Sequence, residues 1–449
     1  MDARAGRLTT QEFQAAEGTE DWRGLGRGAH AWFATGSHAD GAALVRSVVS
    51  TCGDLGTGLP DLDLRATGLR MRLAASGEGF TTQTVELARA ISASARDLGL
   101  TAQPEVVQEV QLAVDTQDPG AVMDFWETAL GYERQGEEDV VDAGRRHPPL
   151  WFQDMDAARP LRSRLHLDSV TSQPVAAATV DRLEAAGAGV ARHGYYATVA
   201  DPEGNEVDVL PLPEGACLWE EGTEDWRLVF AAVAAYPVRS VDDLLALVTG
   251  AADLADGAGL PLGIDVRPLP APGTTAPDAD AGTHRLALVT VHTAKDRWEM
   301  DEGYLDLARQ VQQLARSLDL TADPGRARFV QIGLDAADIP AVSTFWQAAL
   351  GYEPDPRDNV TDIVDPRGLG PVLFFQPIDE QDEQRRAQRN RLHVDVYLPH
   401  DVAATRVETA VAAGGTVVRD AAPFWWTVAD PEGNEVDLAV TVGREEEWG

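Results

Sequence analysis

Apolar and polar positions along this chain change period several times, and the whole series of changes comes round twice. Between Gly41 and Asp54 apolar residues fall at helical spacing. Leu62–Ala74 then alternates about a glycine turn, as a hairpin does. Thr82–Leu98 returns to the helical period, with Val85, Leu87, Ala88, Ile91 and Ala95 as its apolar stripe. The same order recurs as a helix over Val241–Ala255, strands around Ile264–Val266 and Arg285–His292, and a helix over Glu302–Leu318. In the second copy a Pro/Gly/Ala/Asp-rich stretch, Pro268–Gly282, separates the strands and is expected to be a flexible surface loop.

A different pattern lies between these stretches. Val106–Val114 alternates as a strand, and Pro119–Leu130 follows as a helix ending at Gly131, a residue suited to a left-handed helix cap. The spacing next predicts strands over Pro149–Met155 and Arg164–Val170, a helix over Val175–Ala186, and strands over Ala197–Ala200 and Glu206–Leu210. The second copy matches with a helix over Ile339–Leu350, Gly351, and a strand over Pro371–Ile378. Each such stretch therefore reads as two βαβββ-like halves.

Two peptides fix the larger organisation. Glu-Gly-Thr-Glu-Asp-Trp-Arg occurs at Glu17–Arg23 and Glu221–Arg227, and Asp-Pro-Glu-Gly-Asn-Glu-Val-Asp at Asp201–Asp208 and Asp430–Asp437. They alternate, so a unit of two modules was duplicated to give A-B-A-B. The chain reads as an α+β protein of four domains, with A at 1–103 and 217–325 and B at 104–216 and 326–449. Trp22 and Trp226, inside the heptapeptide, are expected core anchors. Asp-Pro-Glu-Gly-Asn is itself a tight-turn sequence, so its recurrence reads as structural.

Composition narrows the partners. A formal charge of −36 over 449 residues argues against nucleic acid and anionic membrane, and the charges are dispersed apart from Glu445–Glu447. Cys52 and Cys217 occupy non-equivalent places, which excludes a disulfide framework or a thiolate metal cluster. Met1–Thr10 has no apolar signal core and Leu228–Val238 is too short to span a bilayer, so a soluble, cytoplasmic protein is expected. The duplication suggests a pseudo-twofold monomer, with a homodimer as the alternative.

The helix–strand–strand–helix order of module A, with an early Trp and a Gly-Leu-Pro before the first strand, resembles the pterin-4a-carbinolamine dehydratases. That family carries His-His-Pro where this chain has Gly58-Leu59-Pro60 and Gly259-Leu260-Pro261. Neither Gly nor Leu can exchange a proton, so the resemblance implies the fold, an antiparallel sheet with helices, without the activity. His292 and Asp265 have no evident counterparts in the first copy.

Module B resembles the vicinal oxygen chelate superfamily, which includes glyoxalases, extradiol dioxygenases, fosfomycin-modifying enzymes and bleomycin-binding proteins, and most closely its glyoxalase-like branch. The matching residues are Phe125–Glu133 and Phe345–Glu353, the Arg-Leu-His strands Arg164–Asp168 and Arg391–Asp395, and the octapeptide. The resemblance implies metal ligands at Gln111, Gln153, His166 and Glu206 in the first copy, and at Gln331, Gln376, His393 and Glu435 in the second. Strand alternation agrees for several of these. It leaves Gln111 opposite Val110 and Leu112, groups His166 with Arg164 and Asp168, and groups Glu206 with Asp208.

Imidazole, carboxylate and amide oxygen suit Ni, Co, Mn, Fe or Zn. Glu206 and Glu435 are the expected catalytic carboxylates. Arg164, Tyr196, Arg391, Trp425 and Trp426 are the expected substrate-binding residues. Two readings follow: a metal-dependent lyase, isomerase or dioxygenase-type enzyme, or a non-catalytic binder of a small drug-like molecule.

Overall fold

The computed structural model describes residues 7–75, 79–155, 157–269, 286–379 and 381–444. Most of Pro268–Gly282 and all of Glu445–Glu447 lie outside the described residues. The chain forms two compact units, each assembled from non-contiguous segments. The A unit comprises residues 1–107, 218–327 and 441–449, and the B unit comprises 108–217 and 328–440.

In the A unit each copy runs strand, helix, strand, strand, helix. A long strand absent from the expected order precedes the first long helix of each copy, at Gly28–Ala34 and Ala232–Val238. These strands escape the period-2 pattern because nearly every residue in them is buried, so no polar alternation marks them. The helices are His38–Leu55 and Thr82–Asp97 in one copy, and Val241–Ala258 and Gly303–Ser317 in the other. The two copies share one sheet, because Asp61–Arg65 pairs antiparallel with Gly263–Pro268, placing Asp63 opposite Asp265. Asp265 therefore does have a counterpart, which only the pairing of the copies reveals. Helices His38–Leu55 and Val241–Ala258 pack together over the shared apolar face.

The recurring heptapeptide is a structural turn. Gly18 and Gly222 adopt left-handed φ values of 82° and 87°, and each donates its N–H to the carboxylate two residues on, Glu20 or Glu224. Arg23 and Arg227 bend back to donate to carbonyls of the same turn. Trp22 and Trp226 are buried as expected, with indole N–H groups donated to Ser92 Oγ and the Ala308 carbonyl.

The other face of the sheet near the copy boundary carries buried charge. Asp63 accepts from Arg267 of the second copy at 2.5 Å and from Arg70 at 2.7 Å, while Asp265 accepts from Arg65 at 2.7 Å and lies 3.2 Å from His292. A second link between the copies runs from His38, whose Nδ1 lies 2.7 Å from Asp256. Burial pushes the Asp63 and Asp256 carboxyls up, but their partners outweigh it. Arg267 and Arg70 hold Asp63, and the His38 side chain with the Ala39 and His38 N–H groups holds Asp256, below the ordinary 3.8.

A carboxyl depressed in this way stabilises the fold while ionised. Its contribution is present above the unfolded value and is lost as pH falls through the lower folded value. Acid unfolding of the A unit should therefore steepen below about pH 4, and Asp256→Asn should flatten that limb. Superimposable acid titrations by circular dichroism for the two proteins would refute this.

The B unit departs most from the sequence expectation. Each of its two eight-stranded sheets takes its strands from both copies. One sheet joins Glu109–Thr116 and Leu150–Asp154 of the first copy to Leu392–Tyr397, Thr416–Ala421, Trp425–Ala429 and Glu435–Ala439 of the second. The other joins Arg328–Ala336 and Leu373–Pro377 to Leu165–Thr171, Gly189–Arg192, Ala197–Ala200 and Glu206–Leu210. The joints are antiparallel, with Gln111 opposite Asp395 and Gln331 opposite Asp168. Helices stay with their own copy: Pro119–Leu130 packs on Gln173–Ala185, and Ile339–Leu350 on Ala403–Ala412.

Candidate metal centre

The octapeptide anchors the scaffold around the site. Asp201 accepts from the Glu203 and Asn205 N–H groups, the Asn205 side chain, and the Trp126 indole N–H at 3.2 Å. Asp430 does the same for Glu432, Asn434 and Trp346. The two recurring motifs of module B thus hold each other. Burial pushes both aspartates above their ordinary value even with these donors present. Glu203 accepts from Gln117 and Asp118 N–H at the start of the Phe-Trp helix, as Glu432 does from Ala337 and Asp338. The structural reading of this turn holds.

Arg164 and Arg391 belong to that scaffold and not to a substrate pocket. Each is 1% exposed. Arg391 donates to Asn205 Oδ1 at 2.8 Å, to the Gly204 carbonyl at 2.9 Å, and to the Leu161 and Arg159 carbonyls. Arg164 donates to the Glu432, Gly433 and Arg386 carbonyls. Each guanidinium clamps the turn of the other copy, and protein carbonyls take its terminal N–H donors.

The chemistry gathers on one polar face of each sheet. Register places Gln331, Asp168, Asp208 and Thr198 in a row across four adjacent strands, with His166 two residues before Asp168 on its own strand. The other sheet repeats the row as Gln111, Asp395, Asp437 and Thr427, with His393. In each, the ligand atoms of one His and two Asp lie within 4.8 Å of one another: His166, Asp168 and Asp208, and His393, Asp395 and Asp437. His166 Nε2 is 3.7 Å from Asp168 Oδ1, and His393 Nε2 is 3.5 Å from Asp395 Oδ1. Gln331 donates to Asp168 at 2.7 Å, Gln111 to Asp395 at 3.4 Å, and Thr198 to Asp208 at 2.6 Å.

The expected ligands divide accordingly. His166 and His393 lie at the centres, and Gln111 and Gln331 lie beside them, but each glutamine joins the histidine of the other copy. The grouping by copy is therefore corrected, because the copies exchange half-sheets. Gln153 and Gln376 stand apart, donating at 2.6 Å to Asp115 and Asp335, which arginines also hold. Glu206 and Glu435 are paired with Arg162 and Arg389, the latter at 2.7 Å, and fall outside both groups. Trp425 shares the polar face with Thr427, while Trp426, one residue on, faces the opposite side with Leu438. Tyr196 occupies the place of Trp425 in the other sheet and stacks on His193 at 4.7 Å.

Strand alternation places Asp168 and Asp208 on this face without marking them as ligands. The signal was the His-x-Asp spacing common to both copies, which puts both side chains on one side of a strand.

Residues 111–210 and 331–439 each match the model of the glyoxalase-like domain. Two stretches, together just under half of the chain, are therefore similar to the glyoxalase-like domain. Among solved structures, a glyoxalase I variant from Zea mays is 9% identical, with a TM-score of 0.37 over 76% of this chain and 96% of that one. A glyoxalase-related enzyme from Fulvimarina pelagi is 23% identical with a TM-score of 0.18, over 24% of this chain and 84% of that one. A glyoxalase/bleomycin resistance protein/dioxygenase family enzyme from Burkholderia phytofirmans is 17% identical with a TM-score of 0.18, over 24% of this chain and 95% of that one. No curated protein matches. Among the described residues no helix is long and apolar enough to cross a membrane.

Proposed function

We propose that each composite site of the glyoxalase-like domains holds a divalent cation and presents it to an oxygen-bearing small molecule. The convergence of one imidazole and two carboxylates within 4.8 Å, in both sheets, carries this reading. Two carboxylates brought so close repel unless a cation or proton joins them. The donor set suits Mn, Fe, Co, Ni or Zn. Buried polar atoms support the fit: His166 Nδ1, Gln331 Oε1 and Asp437 Oδ1 have no hydrogen-bond partner in the protein.

A bound cation would supply Lewis acidity that polarises a ligand oxygen. The chain's own residues position the donors: Gln331 and Thr198 fix the Asp168 and Asp208 carboxylates, and Gln111 steadies Asp395. The pairing of Glu206 and Glu435 with arginines removes the carboxylates expected to move protons. That favours a second reading, in which the sites bind a small molecule without converting it.

Metal analysis of protein purified without a histidine tag and incubated with Mn, Fe, Co, Ni and Zn tests the proposal. The wild type should retain up to about two ions per chain, and Asp168→Asn/Asp395→Asn should lose them while the circular dichroism spectrum is kept. Equal metal content in the two proteins, or none in either, would remove the metal from the account.

The division into four modules belongs to the same proposal, as does the dehydratase-like reading of module A. There Gly58-Leu59-Pro60 and Gly259-Leu260-Pro261 leave a scaffold without acid–base chemistry.

A further inference from the structure

The two sites share four members of a row and differ at the fifth. Across one sheet the row reads Gln331, Asp168, Asp208, Thr198 and Ala191; across the other it reads Gln111, Asp395, Asp437, Thr427 and Arg419. Arg419 stands two strands from Asp437, which at ~4.8 Å between strands is about 10 Å. Its guanidinium lies over the Trp425 ring, 4.9 Å from the centroid. Trp425 sits two residues before Thr427 on the same face, so indole and guanidinium flank the carboxylate row from one side. The equivalent corner of the first site holds Ala191 and Tyr196, with no cationic side chain in the row. Other equivalents differ in the same direction: Trp151 lies beside Ala113 where the first site has Phe374 beside Gly333.

From this geometry we infer that the two sites take different ligands, and that the His393 site takes a planar aromatic carboxylate. A guanidinium presents a flat fork of donors matched to a carboxylate, and stacking on indole holds that fork while leaving its edge to pair. The indole edge and face beside it provide apolar area for a ring. A ligand anion there is separated from Asp437 by the width of about two strands and from Asp395 by about three, enough for one aromatic ring between its carboxylate and the nearer of the metal-binding donors. The row of the His166 site holds Ala191 where the other holds Arg419, and Arg162 is already paired with Glu206, so an anion is disfavoured there. This inference rests on the proposed site faces but not on a bound metal.

Isothermal titration with 2-hydroxybenzoate and 1-naphthoate, each in EDTA and again with Mn, tests it on the full chain. About one equivalent should bind per chain, and binding should persist in EDTA. Arg419→Gln and Trp425→Leu should each weaken it by about tenfold, the loss expected for one charge-assisted pair or one aromatic face. Tyr196→Leu should leave it unchanged. Ala191→Arg/Tyr196→Trp should create a second binding equivalent. Absence of binding at millimolar concentration overturns the inference, as does affinity insensitive to Arg419 and Trp425, or equal loss in Tyr196→Leu. Binding that is lost in EDTA but regained with Mn, and is insensitive to Arg419→Gln, would support the metal centre while overturning the Arg419–Trp425 corner as the carboxylate site.

Discussion

Arg391→Ala should destabilise the B unit by ~3–5 kcal/mol, because truncation strands several buried carbonyls at ~1–3 kcal/mol each, partly relieved by water. The guanidinium bonds Asn205 Oδ1 and the Gly204, Leu161 and Arg159 carbonyls, so its loss frees both the first-copy turn and the loop beside it. Those partners are neutral acceptors in a fixed fork pattern, so Arg391→Lys should recover less than half of the loss despite keeping the charge. Urea denaturation followed by tryptophan fluorescence measures this directly, because Trp126 is tied to the same turn through Asp201. Arg164→Ala should behave alike through the Asp430 turn and Trp346. A change below ~1 kcal/mol in Arg391→Ala would mean that the clamp is redundant with packing.

Asp63→Ala is the corresponding expectation for the A unit, at ~3–5 kcal/mol, the scale of removing one member of a buried ion pair. Asp63 neutralises Arg267 of the other copy and Arg70 of its own, and Arg267 is 1% exposed, too deeply buried for solvent to take over its charge. Burial lowers the proton affinity of the Arg267 guanidinium, but Asp63, Asp61 and Asp265 more than reverse that, so the group is held firmly cationic. Arg267→Met should cost less than Asp63→Ala, since Asp63 keeps Arg70 and methionine keeps the aliphatic packing. In the double variant the loss should fall well short of the sum, which a double-mutant cycle by thermal denaturation would show. Strict additivity would mean that the two groups do not stabilise one another.

Much of this architecture is legible in the chain because it rests on local periods. The helices His38–Leu55 and Thr82–Asp97 end within a few residues of the predicted bounds, since the apolar stripe and the capping residues Ser37 and Thr81 act over one or two turns. Trp22 and Trp226 are buried as the repeat implies. The strands Gly28–Ala34 and Ala232–Val238 carry no period-2 signal because burial on both faces erases alternation. For a related reason the surroundings of Arg164 and Arg391 are not legible locally: strand parity puts them beside His166 and His393, but whether a guanidinium meets solvent or a neighbouring turn depends on chain far away in sequence.

The sequence by itself determined the duplication, the βαβββ character of each B half, and the face on which Gln, His and Asp would stand. These follow from residue spacing along single strands. Only the tertiary structure decided which copy completes which site. The strands Arg164–Asp168 and Arg391–Asp395 carry nearly the same residues, and so do the edges at Gln111 and Gln331. Either pairing therefore satisfies the same alternation and the same hydrogen-bond ladder. The choice lies in contacts between residues more than 150 positions apart, such as Gln331 with Asp168 and Arg391 with Asn205. Local pattern carries no information about partners at that distance when two candidate partners look alike.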